Sequence, residues 1–175
     1  HTFATGVAVG DVDGDGFDDL YITCFGPNKL LMNQGNGMFS ESASIMGVDD
    51  GGWGTSASFG DLDADGDLDL YVCNYLEFNP LRFPPNARYK SQEVLGGPHG
   101  LQPQVDVVYE NKGEGKFVNS TTRWGFDAAP SFSLNVAILD FNHDGLQDVF
   151  VGNDSMANHL FINQGFGSKF LNEGV

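Results

Sequence analysis

Residues 11–19 read DVDGDGFDD, and the same pattern returns as DLDADGDLD over 61–69 and as DFNHDGLQD over 140–148. Each copy has side-chain oxygens at positions 1, 3, 5 and 9 and a glycine at position 6. A hard cation that takes six to eight oxygen ligands needs such a set, and calcium fits it better than magnesium, which demands a tighter octahedron. The three copies therefore predict three calcium-binding loops.

The candidate ligands follow from the positions within each loop. The predicted side-chain ligands are Asp11, Asp13, Asp15 and Asp19 in loop 1, Asp61, Asp63, Asp65 and Asp69 in loop 2, and Asp140, Asn142, Asp144 and Asp148 in loop 3. The backbone carbonyl at position 7 is expected to complete each set, from Phe17, Asp67 and Leu146. The glycine at position 6 permits the turn that aims this carbonyl. Because Asn142 replaces an aspartate, loop 3 is expected to bind calcium most weakly.

Two alternatives for the loops are acidic turns without metal and carboxylates that act in acid–base catalysis. A fully coordinated calcium ion occupies the carboxylates and leaves no base for a substrate, so we expect no enzymatic activity. His99 is the one histidine placed where a catalytic site could use it. No Ser/His/Asp or Cys/His set surrounds His99 in the sequence.

The chain is strongly acidic, with 24 acidic residues against 8 lysines and arginines and a formal net charge of −16. Thirteen of the acidic residues lie in the loops, five in each of the first two and three in the third. Since no basic patch could release counterions from a phosphate backbone, nucleic acid is excluded as an expected partner. The sequence has no run of 18 apolar residues, so it predicts no membrane-spanning helix.

Short β-branched and aromatic segments flank every loop and predict strands, so that each loop closes a β-hairpin. A second motif, N-x-G-x-G-x-F, follows at 33–39, at 111–117 and, one residue longer, at 163–170. Its glycines predict a second hairpin with a tight turn. Two successive antiparallel hairpins make one four-stranded blade of a β-propeller.

The predicted fold is therefore all-β, with about three blades of a partial or open propeller at 1–52, 53–128 and 129–175. The first two loops start 50 residues apart and the last two 79 apart. The surplus lies in an insertion at 75–104, which holds five of the seven prolines. A loop of this length without regular structure is typical of a functional or disordered segment.

Strand aromatics are predicted to form the core between blades. They are Phe39, Phe117, Phe170, Trp53 and Trp124. Ligand stacking is the alternative for the two tryptophans. Cys24 and Cys73 occupy matching strands of neighbouring repeats, and a disulfide and two half-buried thiols both remain open for them.

The pairing of the acidic loop with the N-x-G-x-G-x-F motif resembles the FG-GAP/VCBS repeats, which build calcium-binding β-propellers of integrin α-subunits and bacterial surface proteins. The chain is similar above all to proteins of the cartilage-acidic-protein and ASPIC/UnbV type. Residues 97–101, GPHGL, resemble an element found between blades of that group. Three features depart from the pattern: Asn142, Cys24 in place of the asparagine at 74 and 153, and three blades where such propellers close with about seven.

The resemblance implies a non-catalytic, calcium-stabilised module of a secreted or surface protein. Extracellular calcium modules work at dissociation constants of about 10⁻⁴–10⁻³ M. Three blades leave open faces, so we expect further blades of the same protein, or copies of the chain, to complete a ring or filament. A protein or glycan ligand is expected to bind through 75–104. The alternatives are a carbohydrate-binding propeller and the accessory propeller of a secreted enzyme.

Overall fold

The computed structural model describes residues 2–79, 81, 86–94, 96–98, 100–127, 130–165 and 167–174. Sheet 1 contains β1 (Phe3–Gly10), β2 (Asp19–Phe25), β3 (Lys29–Asn33) and β4 (Phe39–Glu41). Next along the chain come β5 (Gly54–Gly60), β6 (Asp69–Asn74), β7 (Ala87–Tyr89), β8 (Gln92–Val94), β9 (Val107–Asn111) and β10 (Phe117–Asn119). Sheet 2 contains β5, β6, β9 and β10, whereas β7 and β8 form a separate two-stranded hairpin. Sheet 3 contains β11 (Ser133–Leu139), β12 (Asp148–Asn153), β13 (His159–Ile162) and β14 (Leu171–Asn172). All neighbouring strands are antiparallel, which confirms the all-β prediction.

Helix is confined, in the part of the chain that the structure describes, to two four-residue segments, α1 (Ala43–Met46) and α2 (Thr121–Trp124). A helix needs about 20 residues to cross a bilayer. No described helix has the length or the apolar character for that.

The three acidic loops have the same structural frame. Each joins the first two strands of its sheet, and the last strand pairs before the loops are Gly10–Asp19, Gly60–Asp69 and Leu139–Asp148. The predicted hairpins are therefore confirmed. Each first strand also has a one-residue irregularity near its start, at Thr5, Thr55 and Leu134. An extra residue of this kind bends a strand and turns a side chain away from its own sheet.

The core consists of two apolar layers, one between sheets 1 and 2 and one between sheets 2 and 3. Strand β6 is buried on both faces because side chains alternate along a strand. Leu70 and Val72 pack into the first layer, whereas Tyr71 and Cys73 pack into the second. Sheet 2 is thus covered on both faces, and sheets 1 and 3 each contribute one face to the core.

Polar bonds between sheets repeat along the stack. The Thr5 hydroxyl donates to the Gly54 carbonyl of sheet 2, and the Thr55 hydroxyl donates to the Ser133 carbonyl of sheet 3 at 2.7 Å. At the other end of the strands, the side-chain amide of Asn111 donates to the Val12 carbonyl at 2.8 Å. The amide of Asn163 donates to the Leu62 carbonyl at 2.9 Å in the same way. Each bond ties an element of one sheet to the loop or strand of its neighbour.

The predicted core aromatics have different outcomes. Trp124 and Phe170 are buried in the second layer, and Phe117 packs against the first, which confirms them. The prediction for Phe39 is wrong, since its side chain is 44% exposed. Phe39 lies on the face of sheet 1 that points away from sheet 2, and no described sheet covers that face. Trp53 is half-buried, with its ring 5.4 Å from that of Phe78.

The two cysteines are buried free thiols. The insertion at 75–104 contains the hairpin of β7 and β8. Its residues 80, 82–85, 95 and 99 lie outside the described residues, and with them His99 and the centre of the GPHGL element.

Candidate metal centres

Loop 1 is built around the carboxylate of Asp11. One of its oxygens accepts hydrogen bonds from the backbone amides of Gly14 at 2.9 Å and Asp15 at 3.2 Å, and the other accepts from Gly16 at 2.8 Å. Asp13 accepts from the amide of Asp15 at 3.2 Å. Short polar side chains commonly close turns by bonding to amides further along the chain. The loop therefore winds around its own aspartates.

This winding brings acidic side chains together. Carboxylate oxygens of Asp11, Asp13 and Asp15 lie within 4.8 Å of one another, and the equivalent oxygens of loop 2 do the same. The second cluster consists of Asp61, Asp63 and Asp65. None of the ion pairs among the described residues involves a carboxylate of these clusters. Converging carboxylates without a basic partner repel one another, and a divalent cation relieves that repulsion. The donor set thus fits a calcium ion in both loops.

Loop 3 follows the same path with one carboxylate fewer. Gly145 donates its amide to Asp140 at 2.9 Å, as Gly16 does to Asp11. The side-chain amide of Asn142 donates to Asp144 at 2.9 Å. Asn142 thus donates a hydrogen bond where the other loops have a carboxylate, and the weaker calcium affinity expected for loop 3 stays a prediction.

Position 6 of each loop has the left-handed backbone that the sequence predicts. The φ angles are +88° at Gly16, +99° at Gly66 and +91° at Gly145. Position 4 is also left-handed, including Ala64 at +61° and His143 at +63°. Non-glycine residues rarely adopt this region, so all three loops impose the same path whatever the residue at position 4.

The position-9 aspartates, Asp19, Asp69 and Asp148, are almost completely buried, unlike the rest of the loops. Each connects its loop to the strand that starts the N-x-G turn. In loop 2, the oxygens of Asp69 accept from the amides of Leu62 and Asn111, both at 2.8 Å. Loops 1 and 3 repeat this pair of bonds.

Burial is the largest influence on the pKa of two of these aspartates, Asp69 and Asp19. It raises the pKa of Asp69 to about 7, and it raises the pKa of Asp19 against the lowering effect of the amide bonds. An oxygen that accepts one amide hydrogen bond retains a second lone pair. The role of position 9 as a metal ligand remains a prediction, whereas its role in bridging loop and strand is a finding.

The position-7 side chains pack against the N-x-G turn of their own sheet. A Cβ atom on Gly35 would lie 2.6 Å from the ring of Phe17, so only glycine fits beneath that ring. Leu146 lies near Gly165 and Asp67 near Gly113, but there an added Cβ would make only ordinary contacts, at 3.8 Å and 3.4 Å. The first glycine of the turn therefore gives room to the loop in sheet 1, whereas in all three sheets it permits the left-handed turn.

Loop 2 has a neighbour that sequence analysis missed. Glu110 is 2% exposed and forms ion pairs with Lys112 and Arg123, and it also accepts a hydrogen bond from Ser120 at 3.1 Å. Burial, the charge of Asp65 and contact with Glu110 together raise the pKa of Asp63 to about 6. The equivalent residues in sheets 1 and 3 are Met32 and Ile162. The sequence signal for these ion pairs was Glu110 itself, a charged residue at a repeat position that is apolar in the other two sheets.

Comparison with known proteins agrees with the repeat pattern. The profile of the family described as FG-GAP-like repeat matches residues 11–72. Cartilage acidic protein 1 of Mus musculus is 29% identical over 99% of this chain and 24% of its own length. The Xenopus tropicalis protein of that name is 24% identical over 95% of this chain and 33% of its length. The Homo sapiens protein is 27% identical over 91% of this chain and 32% of its length.

The chain thus spans about a quarter to a third of the length of these curated relatives. The matches confirm the resemblance that the loops and glycine turns predicted: the chain carries an FG-GAP-like repeat and is similar, along nearly its whole length, to cartilage acidic protein 1.

Proposed function

We propose that this chain is a non-catalytic, calcium-binding interaction module of an extracellular protein, in which each acidic loop holds one calcium ion. The observation that carries the proposal is the convergence of three carboxylates within 4.8 Å in each of loops 1 and 2, with no basic partner among the described residues. Calcium prefers six to eight oxygen ligands at about 2.3–2.6 Å. The side chains at positions 1, 3, 5 and 9 and the carbonyl at position 7 would supply them.

Calcium would act through folding, because a site that forms only in the native state adds its binding free energy to stability. Two connections would transmit this effect from loop to sheet. Asp69 ties loop 2 to the start of the glycine turn through Asn111, and Asn111 ties that turn to loop 1 through Val12. Calcium in one loop would therefore stiffen the contact between neighbouring sheets as well as its own hairpin.

The proposed extracellular location of the protein follows from the calcium affinity expected of such loops. Dissociation constants of about 10⁻⁴–10⁻³ M suit the calcium concentration outside cells. The similar proteins are named as acidic proteins of cartilage, and the net charge of −16 gives this chain a comparable character. A calcium ion that occupies the loop carboxylates leaves no acid–base pair there, which supports a binding role and not a catalytic one.

We also infer that the three sheets are blades of a larger β-propeller, completed by further blades or by another copy of the chain. The outer faces of sheets 1 and 3 are apolar. Val7 and Val9 are 60% and 55% exposed on sheet 1, and Leu139 and Leu171 are 59% and 53% exposed on sheet 3. Sheets that repeat in this way bury such faces against neighbours.

Light scattering in millimolar calcium and in chelator tests this completion. A defined oligomer that dissociates in chelator supports completion by copies of the chain. A monodisperse monomer that melts cooperatively in both conditions contradicts the proposed need for neighbours.

Isothermal titration with calcium tests the binding proposal. The wild-type chain should bind three ions, the weakest at loop 3, and Asp61→Asn should remove or greatly weaken one site. Asp49→Asn is the matched control, because Asp49 is exposed and lies outside the loops. Titrations without a binding signal, or identical titrations for wild type and Asp61→Asn, would contradict the proposal.

A further inference from the structure

We infer that the base of the insertion forms a binding groove for a neutral oligosaccharide, at the end of the sheets opposite the acidic loops. The groove extends the proposed interaction role by giving it a ligand class. It does not depend on calcium occupancy, because the loops precede Asp69 at one end of β6 and the insertion follows Asn74 at the other.

The walls of the groove are fixed by the rest of the fold. Leu76 pairs with Pro103, and the Glu77 amide donates to the Gln102 carbonyl at 2.8 Å, so the two ends of the insertion run side by side. The hydroxyl of Tyr75 donates to Asp154 of sheet 3 at 2.6 Å. A ligand would therefore meet a site that needs little ordering, which lowers the entropic cost of binding.

Two adjoining clefts make up the groove. The first, of about 610 Å³, is lined by Glu77, Phe78, Asn79, Gly100, Leu101, Gln102 and Gln104. The second, of about 440 Å³, shares Glu77 and Gln104 and continues to Asp50 and Asn74. Both volumes lie within the range of about 300–1,000 Å³ that is typical of small-molecule sites.

The polar lining has more acceptors than donors. Asp50 and Glu77 supply carboxylates, and the side-chain oxygen of Asn74 is buried without a donor among the described residues. Asn74 is only 3% exposed, and its amide nitrogen already donates to Asp50 at 2.8 Å. A buried acceptor without a partner is costly. A ligand rich in hydroxyl donors would satisfy this lining.

Amide and apolar groups complete the match to a sugar. The oxygen of Gln104 accepts from the Trp53 amide at 2.8 Å, which fixes the side chain and leaves its NH₂ group to donate. Neither Glu77 nor Gln102 has a side-chain hydrogen bond or ion pair within the described residues. Phe78 and Leu101 offer apolar surface for the C–H face of a sugar ring.

Charge restricts the sugar to a neutral one. The groove contains the carboxylates of Asp50 and Glu77 and, among its described residues, no lysine or arginine. The whole chain carries −16. Uronate or sulfate groups would be repelled by like charges in a partly desolvated site.

The test uses the full chain in millimolar calcium on an array of neutral and acidic oligosaccharides, followed by calorimetry with the best neutral trisaccharide. Glu77→Ala and Gln102→Ala should each weaken its binding at least tenfold. Glu173→Ala and Gln164→Ala are matched controls, because both residues lie in sheet 3 or its loops and should leave affinity unchanged. Near-ultraviolet circular dichroism of each variant checks that the fold is retained.

Binding of neutral oligosaccharides that Glu77→Ala removes supports the inference. Three results overturn it: no neutral oligosaccharide binds, acidic ones bind better, or the groove variants bind as the controls do. Calcium titration of the same samples separates this failure from failure of the calcium proposal, since a chain that binds three calcium ions and no sugar refutes the groove alone.

Discussion

Asp106 is a buried carboxylate between sheets 2 and 3, and replacing it with asparagine should stabilise the protein at alkaline pH. Its oxygens accept from the Asn74 amide at 2.8 Å, the Tyr71 hydroxyl at 3.0 Å and the Ser133 hydroxyl at 2.8 Å. The described structure gives it no basic partner, and burial raises its pKa to about 7, with a smaller contribution from the charge of Asp50.

The neighbouring repeats already use asparagine at this place. Asn28 accepts from the Cys24 amide at 2.7 Å, and Asn158 accepts from the Asn153 amide at 2.9 Å. Asp106 makes the same bond to Asn74 in sheet 2. An asparagine side chain at 106 therefore fits the repeat and removes the cost of a buried charge.

The magnitude follows from the pKa difference between the folded and unfolded chain. An unfolded aspartate titrates near 3.9, and about three pKa units at 1.36 kcal/mol per unit correspond to about 4 kcal/mol. Because the folded pKa is raised, the contribution to stability is fully present below pH 4 and is lost as the pH rises to about 7. Asp106→Asn should therefore match wild type near pH 4 and exceed its unfolding free energy by about 2–4 kcal/mol at pH 8.5.

Urea unfolding in millimolar calcium, followed by tryptophan fluorescence between pH 5 and pH 8.5, measures this difference. The exposed Asp49→Asn serves as the control and should differ from wild type by the same small amount at every pH. If the difference in unfolding free energy between Asp106→Asn and wild type is the same at pH 8.5 as at pH 5, the hydrogen bonds to the carboxylate offset its burial and the reasoning is wrong.

Two further predictions concern the packing between sheets. Asn111→Ala should lower the unfolding free energy by about 2–3 kcal/mol, because it leaves the Val12 and Leu68 carbonyls without their donor. The control Asn33→Ala removes a side-chain bond to its own sheet only and should cost about 1 kcal/mol. Equal costs for the two variants would contradict the bridging role of Asn111. Gly60→Ala should cost about 1–3 kcal/mol in the same assay, because its Cβ would lie 2.7 Å from Ile138 of sheet 3. Gly51→Ala, where the space is open, should be neutral, and a neutral Gly60→Ala would refute the close approach of the sheets.

Local patterns predicted the hairpins well because their causes are local. The acidic loop closes through bonds between its own aspartates and amides, as at Asp11. The glycine at position 6 is needed for a left-handed backbone, which any chain that follows this path must adopt. The apolar segment after loop 2 likewise predicts the strand β6, although it does not show that both faces of β6 are buried.

Features that depend on contact between repeats could not be predicted in the same way. Phe39 occupies the same position as the covered Phe117 and Phe170, yet it is exposed because no described sheet lies against it. The ion pairs of Glu110 join β9 to the turn that follows it and to α2, which are distant in sequence from loop 2. The hydrogen bonds by which Asp69 bridges loop 2 and β9 were likewise not predicted, since the acidic-loop pattern indicates only a metal ligand at this position.

The most direct test of the central claim is the unfolding free energy of the chain in millimolar calcium and in chelator. Millimolar calcium is about one to ten times the expected dissociation constant, so each occupied loop should add about 0.4–1.4 kcal/mol. The account predicts a calcium-dependent gain of about 1–4 kcal/mol for the three loops of wild type and a smaller gain for Asp61→Asn. An unfolding free energy that is the same in calcium and in chelator would contradict the claim that calcium in these loops stabilises the stacked sheets.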